Sequence, residues 1–192
     1  MDVLIACEYS GRVRDAFAAR GHFAVSCDIL PTEAPGEHYQ GDVLDLLDLP
    51  WDLLIGFPPC THLAVSGARY FAEKRADGRQ QAAEAFFLAL ANAPIPKIAI
   101  ENPIGIMSRR YRKPDQIVHP WQFGHDESKA TCLWLRGLPP RVATDVLELP
   151  ACGYWTNQTP SRQSNAPESK DRAKLRSATY PGIAAAMAAT WG

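Results

Sequence analysis

The chain has 192 residues, enough for one well-buried core and too few for two full domains. Hydrophobic residues make up 46% and charged residues 21%, the balance of a soluble globular protein. No apolar run approaches the ~20 residues of a membrane span, and a formal charge of −1 does not mark the chain as a general nucleic-acid binder.

Val3–Cys7 reads as an apolar, partly β-branched strand, Glu8–Gly11 as a turn, and Val13, Phe17 and Ala18 recur at helical spacing. Gly21 ends that helix, and Phe23–Cys27 forms a second strand with Asp28 at its end. Pro31–Gln40, rich in Pro, Gly and acidic residues, reads as a surface loop. A short segment, Asp42–Leu49, leads to the strand Trp51–Gly56. After a loop at Thr61–Arg69, Gly78–Ala93 carries a wide apolar stripe and predicts a helix, ended by Pro94–Ile95–Pro96. Ile98–Ile100 and Thr131–Arg136 are further strands, the latter closed by a Gly137–Pro140 turn. Tyr154–Arg172 is a polar loop, and Gly182–Trp191 is an Ala-rich helix with Pro181 near its start. Strands alternating with helices predict an α/β fold, a Rossmann-like, doubly wound, mostly parallel sheet in a single domain over residues 1–192.

The first residues run directly into a strand with no basic segment and no cleavage site, so a cytoplasmic protein is expected. The five cysteines are odd in number and lack CxxC spacing, which supports neither a disulfide framework nor a metal site. Most read as small buried residues. Two basic clusters, Arg109–Arg110–Arg112–Lys113 and Arg162–Lys170–Arg172–Lys174–Arg176, either face phosphates or form a solvated surface.

Cys60 stands apart from the other thiols. The apolar run Leu53–Phe57 breaks at Pro58–Pro59 and presents it at a strand end, and Lys97–Ile100 is a second apolar run ending in Glu101–Asn102–Pro103. In a parallel sheet both would lie at carboxyl ends of strands, where open α/β sheets bind ligands. A thiol and a carboxyl group meeting there can act as nucleophile and acid on one substrate, a pairing suited to a pyrimidine ring.

The order of these motifs resembles the C5-cytosine DNA methyltransferases. Ala6–Gly11 stands where that family has its glycine-rich cofactor loop, Asp28 ends strand two, and Gly41–Asp42–Val43 stands where the family contacts adenine. Gly56–Thr61 with Ser66–Gly67 matches the Pro-Cys nucleophile loop, Ile100–Pro103 the Glu-Asn motif, and Thr179–Ile183 the segment before the last family helix. The resemblance implies S-adenosyl-L-methionine held by Tyr9, Ser10, Gly11, Asp28, Asp42 and Pro58. It implies Cys60 and Glu101 as catalytic residues, with Pro59, Thr61, Ser66, Gly67, Asn102 and Lys129 contacting a target cytosine in DNA.

The departures are specific. Glu8 and Ser10 replace family glycines, and Lys129–Ala130–Thr131 occupies the place of a Gln-Arg-Arg strand. The stretch from Pro103 to Lys129 is too short for the target-recognition domain. A free nucleotide substrate, a protein partner that supplies specificity, and a non-catalytic nucleic-acid- or protein-binding module therefore stay open.

On the methyltransferase reading, cytosine C5 is a poor nucleophile until a thiolate adds to C6. A carboxyl group that donates a proton near N3 stabilises that adduct. A thiol of pKa ~8.5 needs help to ionise, which Lys129 or Arg69 would supply. Glu101 needs the opposite, burial that keeps it protonated. A duplex target must also be flipped out, at a few kcal/mol.

Overall fold

A computed structural model describes residues 1–165 and 177–192. Its centre is one seven-stranded sheet of order β3-β2-β1-β4-β5-β7-β6. The strands are β1 (Asp2–Ala6), β2 (Phe23–Asp28), β3 (His38–Gln40), β4 (Leu53–Gly56), β5 (Lys97–Pro103), β6 (Gln116–Val118) and β7 (Thr131–Arg136). The first five run parallel, and β7 alone is antiparallel to its neighbours. This is the expected α/β, Rossmann-like, doubly wound architecture.

Burial on both faces explains the unbroken apolar runs of β1 and β4. Because side chains alternate across a strand, Val3, Ile5, Leu53 and Ile55 pack with Val13 and Phe17 of α1 (Arg12–Ala18) and Ile183 and Met187 of the C-terminal helix Pro181–Trp191. Leu4, Leu54, Ile98 and Ile100 take the other face, against Phe87 and Leu90 of the helix Arg79–Ala91. Full burial of one such side chain stabilises the fold by roughly 1.5–3 kcal/mol.

Several elements differ from expectation. The Pro31–Gln40 segment ends in a strand, since His38–Gln40 pairs with Ser26–Asp28 along the open edge of β2. The preceding turn is pinned by Arg14, a buried guanidinium that donates to Ala34 O at 3.2 Å and Pro35 O at 2.8 Å. Asp42–Leu49 contains the 3-10 turn Val43–Leu46. Two short helices (Phe71–Ala76 and Met107–Arg110) and the three-residue β6 are too brief to leave a periodic signal. Tyr154–Asn165 has no helix, only turns and a single bridge from Gln158 to Ser164. The rest of the Tyr154–Arg172 loop, with Lys170, Arg172, Lys174 and Arg176, lies outside the described residues.

Among the described residues, no helix is long and apolar enough to cross a membrane.

Candidate active site

The chain leaves β1 for β2 and β3 on one side, then crosses to β4 and β5 on the other. Ligands of open α/β sheets bind in the crevice at such a reversal, outside the carboxyl ends of the two central strands. Here that crevice is bordered by the loops that begin at Cys7 and at Phe57.

The first loop opens with Cys7 at φ 59°, a left-handed conformation that a non-glycine residue holds only when its surroundings impose it. Gly11 at φ 74° then starts α1, and a Cβ there would lie 2.4 Å from Arg14 Nη2. Glu8 is buried and reaches forward to the helix. Its Oε1 accepts from Val13 N at 2.7 Å and from Ser10 Oγ at 3.1 Å, and its Oε2 accepts from Arg14 N at 3.3 Å. Two amides of the first turn of α1 are thus taken by the chain's own carboxylate. Burial pushes the Glu8 pKa up against those opposing hydrogen bonds. Tyr9 is buried, with its hydroxyl 3.0 Å from Ser177 Oγ.

Asp28 and Asp42 flank the same crevice. Asp28 Oδ1 accepts from Leu30 N at 2.9 Å, and Asp42 Oδ1 caps its 3-10 turn through Leu44 N at 3.0 Å. Gly41 N donates to Asp28 O, which joins the two turns. Burial raises the Cys7 thiol far above its ordinary value, with Asp28, Cys27 and Asp42 adding to the rise. Cys27 is pushed up to about 12 by burial, then by Asp28 and Asp42. Both thiols are therefore neutral neighbours of these carboxylates. Cys7 follows the last residue of β1 and opens the Ala6–Gly11 loop.

The Cys60 loop is held at its carbonyls. Asn102 Nδ2 donates to Pro58 O at 2.7 Å, Lys74 Nζ to Thr61 O at 2.6 Å, and Gln80 Nε2 to His62 O at 3.0 Å. Cys60 O accepts from Leu63 N and Ala64 N. Beyond it, Val65 N donates to Ile104 O and Ile106 N to Leu63 O, so this loop is stitched to the one following β5. Pro58 is buried, Cys60 half-buried, and Pro59, Thr61 and Ser66 exposed. Gly67 sits where a Cβ would come within 3.2 Å of Lys74 Nζ. Lys74 brings a cation to this loop, and Arg69 lies over the Tyr70 ring at 4.6 Å. Nothing local in the sequence points to Lys74, because its partner is a carbonyl thirteen positions away.

Glu101 leaves β5 on the face that carries the C-terminal helix. Gly56 pairs with Ile100, so Phe57 and Glu101 emerge side by side and line one cavity with Lys129, Thr131 and Tyr180. Burial raises the Glu101 pKa, opposed by the Lys129 charge and the Thr131 hydroxyl. Cys132, pushed up to about 11, feels burial first and Glu101 second. The cavity measures about 20 Å³, room for about one water. Phe57, not Cys60, forms its wall, while Asn102 ties the two motifs together and keeps a buried Oδ1 with no partner among the described residues.

The first basic cluster divides on inspection. Arg112 pairs with Asp115 at 2.7 Å and donates to Leu135 O, and Arg110 lies 3.7 Å from Glu84. Arg109 and Lys113 are exposed.

The chain matches no family model and no curated protein. It is similar to solved structures, among them an E. coli prophage-encoded protein described provisionally as a DNA modification methyltransferase. The identity is 18% and the TM-score 0.47, over 70% of this chain and 46% of that one. This chain therefore spans under half the length of that protein.

Proposed function

We propose that the protein transfers a methyl group from S-adenosyl-L-methionine to C5 of cytosine in DNA through a covalent adduct on Cys60. One observation carries the reading. The pairing of Gly56 with Ile100 sets the Cys60 loop and Glu101 at the ends of adjacent parallel strands, and the Asn102–Pro58 hydrogen bond joins them.

The fit to the cofactor is divided. Asp28, at the end of β2, would accept from ribose hydroxyls, with Asp42 and Cys7 beside it. At α1, Glu8 already occupies the first-turn amides, so a carboxylate of the methionine portion must be held elsewhere. When bound, the cofactor supplies an electrophilic methyl group.

The chain's own residues do the rest. Addition of Cys60 Sγ to cytosine C6 forms an S–C bond and moves electron density toward C5, as Glu101 donates its proton at N3. Burial raises the Glu101 pKa, which favours the protonated form that this donation uses. After C5 is methylated, loss of the C5 proton to a base and departure of Cys60 restore the ring, and Glu101 recovers its proton. The fixed carbonyls of Pro58, Cys60, Thr61 and His62 pre-organise the thiol. A pyrimidine is larger than the water-sized cavity beside Glu101, so its entry requires residues lining that cavity to move.

Cys60→Ser should abolish transfer from labelled cofactor to DNA while cofactor affinity stays within about twofold of wild type. Retained transfer would remove Cys60 from the reaction, and label passing only to free dCMP would change the substrate. The Glu8 cap favours a second reading, a binding module without catalysis. Calorimetry showing no heat at millimolar S-adenosylmethionine would select it.

A further inference from the structure

We propose that the cavity lined by Trp121 and Trp155 receives an unpaired base of the nucleic-acid strand beside the target cytosine, with Arg162 on its phosphate. This rests on the reading of a nucleic-acid substrate given above.

Position is the first argument. Val118 pairs with Thr131, and Thr131 pairs with Pro103 at the end of β5. The β6–β7 connection, which carries Trp121, therefore lies over the same carboxyl edge as Glu101. Ser128 lines the tryptophan cavity, and the next residue, Lys129, lines the cavity of Glu101. The two spaces are neighbours along the chain.

Shape and chemistry are the second. The cavity measures about 370 Å³, within the range of ~300–1,000 Å³ usual for small-molecule sites. The Trp121 and Trp155 rings are parallel within 2° at 5.8 Å between centroids, and His119 stacks on Trp121 at 5.6 Å. Two parallel indoles with a tilted imidazole beside them suit another flat ring, and every nucleobase has a π-face to offer. The frame around it is bonded: Leu147 N donates to Trp121 O at 2.9 Å, Ser128 N to Asn157 Oδ1 at 2.9 Å, and Trp155 N to Gln158 Oε1 at 3.2 Å.

Charge is the third. Among the described residues no acidic side chain lines the cavity, and Arg162 is its one cation. Arg162 is exposed, held at φ 59°, with its amide donating to Thr159 O at 2.7 Å. It forms no salt bridge with a described residue. A planar aromatic stack edged by a guanidinium matches a base joined to a phosphate.

The test needs no methyl donor. A single-stranded 12-nucleotide DNA carrying 2-aminopurine beside one cytosine is titrated with protein, with anisotropy and 2-aminopurine quenching as readouts. Wild type should bind and quench. Trp121→Leu should weaken binding roughly tenfold and lose the quench, whereas Trp121→Phe stays within about threefold. Arg162→Ala should weaken binding several-fold and lower the salt slope by about one. Failure of wild type to bind, or wild-type affinity and quench in both Trp121→Leu and Arg162→Ala, would overturn the proposal. A Trp121→Phe variant as weak as Trp121→Leu would overturn it too. Should Trp121→Leu not fold, the exposed Arg162→Ala decides alone. Binding with these signatures but no methyl transfer would refute the proposed reaction only, and methyl transfer with insensitive variants would refute this pocket only.

Discussion

Asn102→Asp isolates the bond that joins the two halves of the site. Asn102 is 1% exposed and its Nδ2 lies 2.7 Å from Pro58 O. An ionised aspartate would set an acceptor against that carbonyl in a buried place, while a protonated one could donate to it. Folding should therefore favour the neutral acid and raise its pKa by about 3 units or more. At 1.36 kcal/mol per unit this is a loss of roughly 4 kcal/mol at neutral pH. The folded pKa lies above the unfolded value of ~3.9, so the variant keeps its stability below that pH and loses it as pH rises through the folded pKa. Urea denaturation at pH 4, 5.5 and 7 should show a gap to wild type that opens with pH. Asn102→Ala should give a smaller and flat cost of about 1–3 kcal/mol for the stranded Pro58 carbonyl. A gap for Asn102→Asp that is equally large at pH 4 and pH 7 would refute the reasoning.

Glu101→Gln bears on the proposed acid. The raised pKa of Glu101 means its contribution is present below the unfolded value of ~4.3 and falls as pH rises through the folded one. The Gln variant should thus lose less stability than wild type between pH 5 and pH 8 in urea melts, and methyl transfer should fall at least ~100-fold. Arg14→Met removes a buried guanidinium that bonds Ser26, Thr32, Ala34 and Pro35. It should cost about 3–5 kcal/mol, read by denaturation, with faster hydrogen exchange over residues 33–38; a loss under 1 kcal/mol would mean those bonds contribute little.

The likeness of the Cys60 and Glu101 motifs to a methyltransferase pattern could be read from sequence because each is local: an apolar strand, a break, a reactive side chain. Glu8 was visible as a departure from glycine, but its service as the cap of α1 was not. That role needs the loop to fold back so that one carboxylate meets two amides of the following turn. The tryptophans were legible only as isolated residues, since Trp121 and Trp155 are brought together by segments on either side of β7.

Sequence alone determined the apolar strands β1, β4, β5 and β7 and the helix Arg79–Ala91, because burial on two faces demands continuous hydrophobic runs of recognisable length. Tertiary structure decided the antiparallel course of β7, the edge pairing of β3 and β6, and the long-range bonds of Arg14, Lys74 and Asn102. Strand direction and carbonyl partners depend on what lies across a gap in space. A single chain position carries no record of that neighbour.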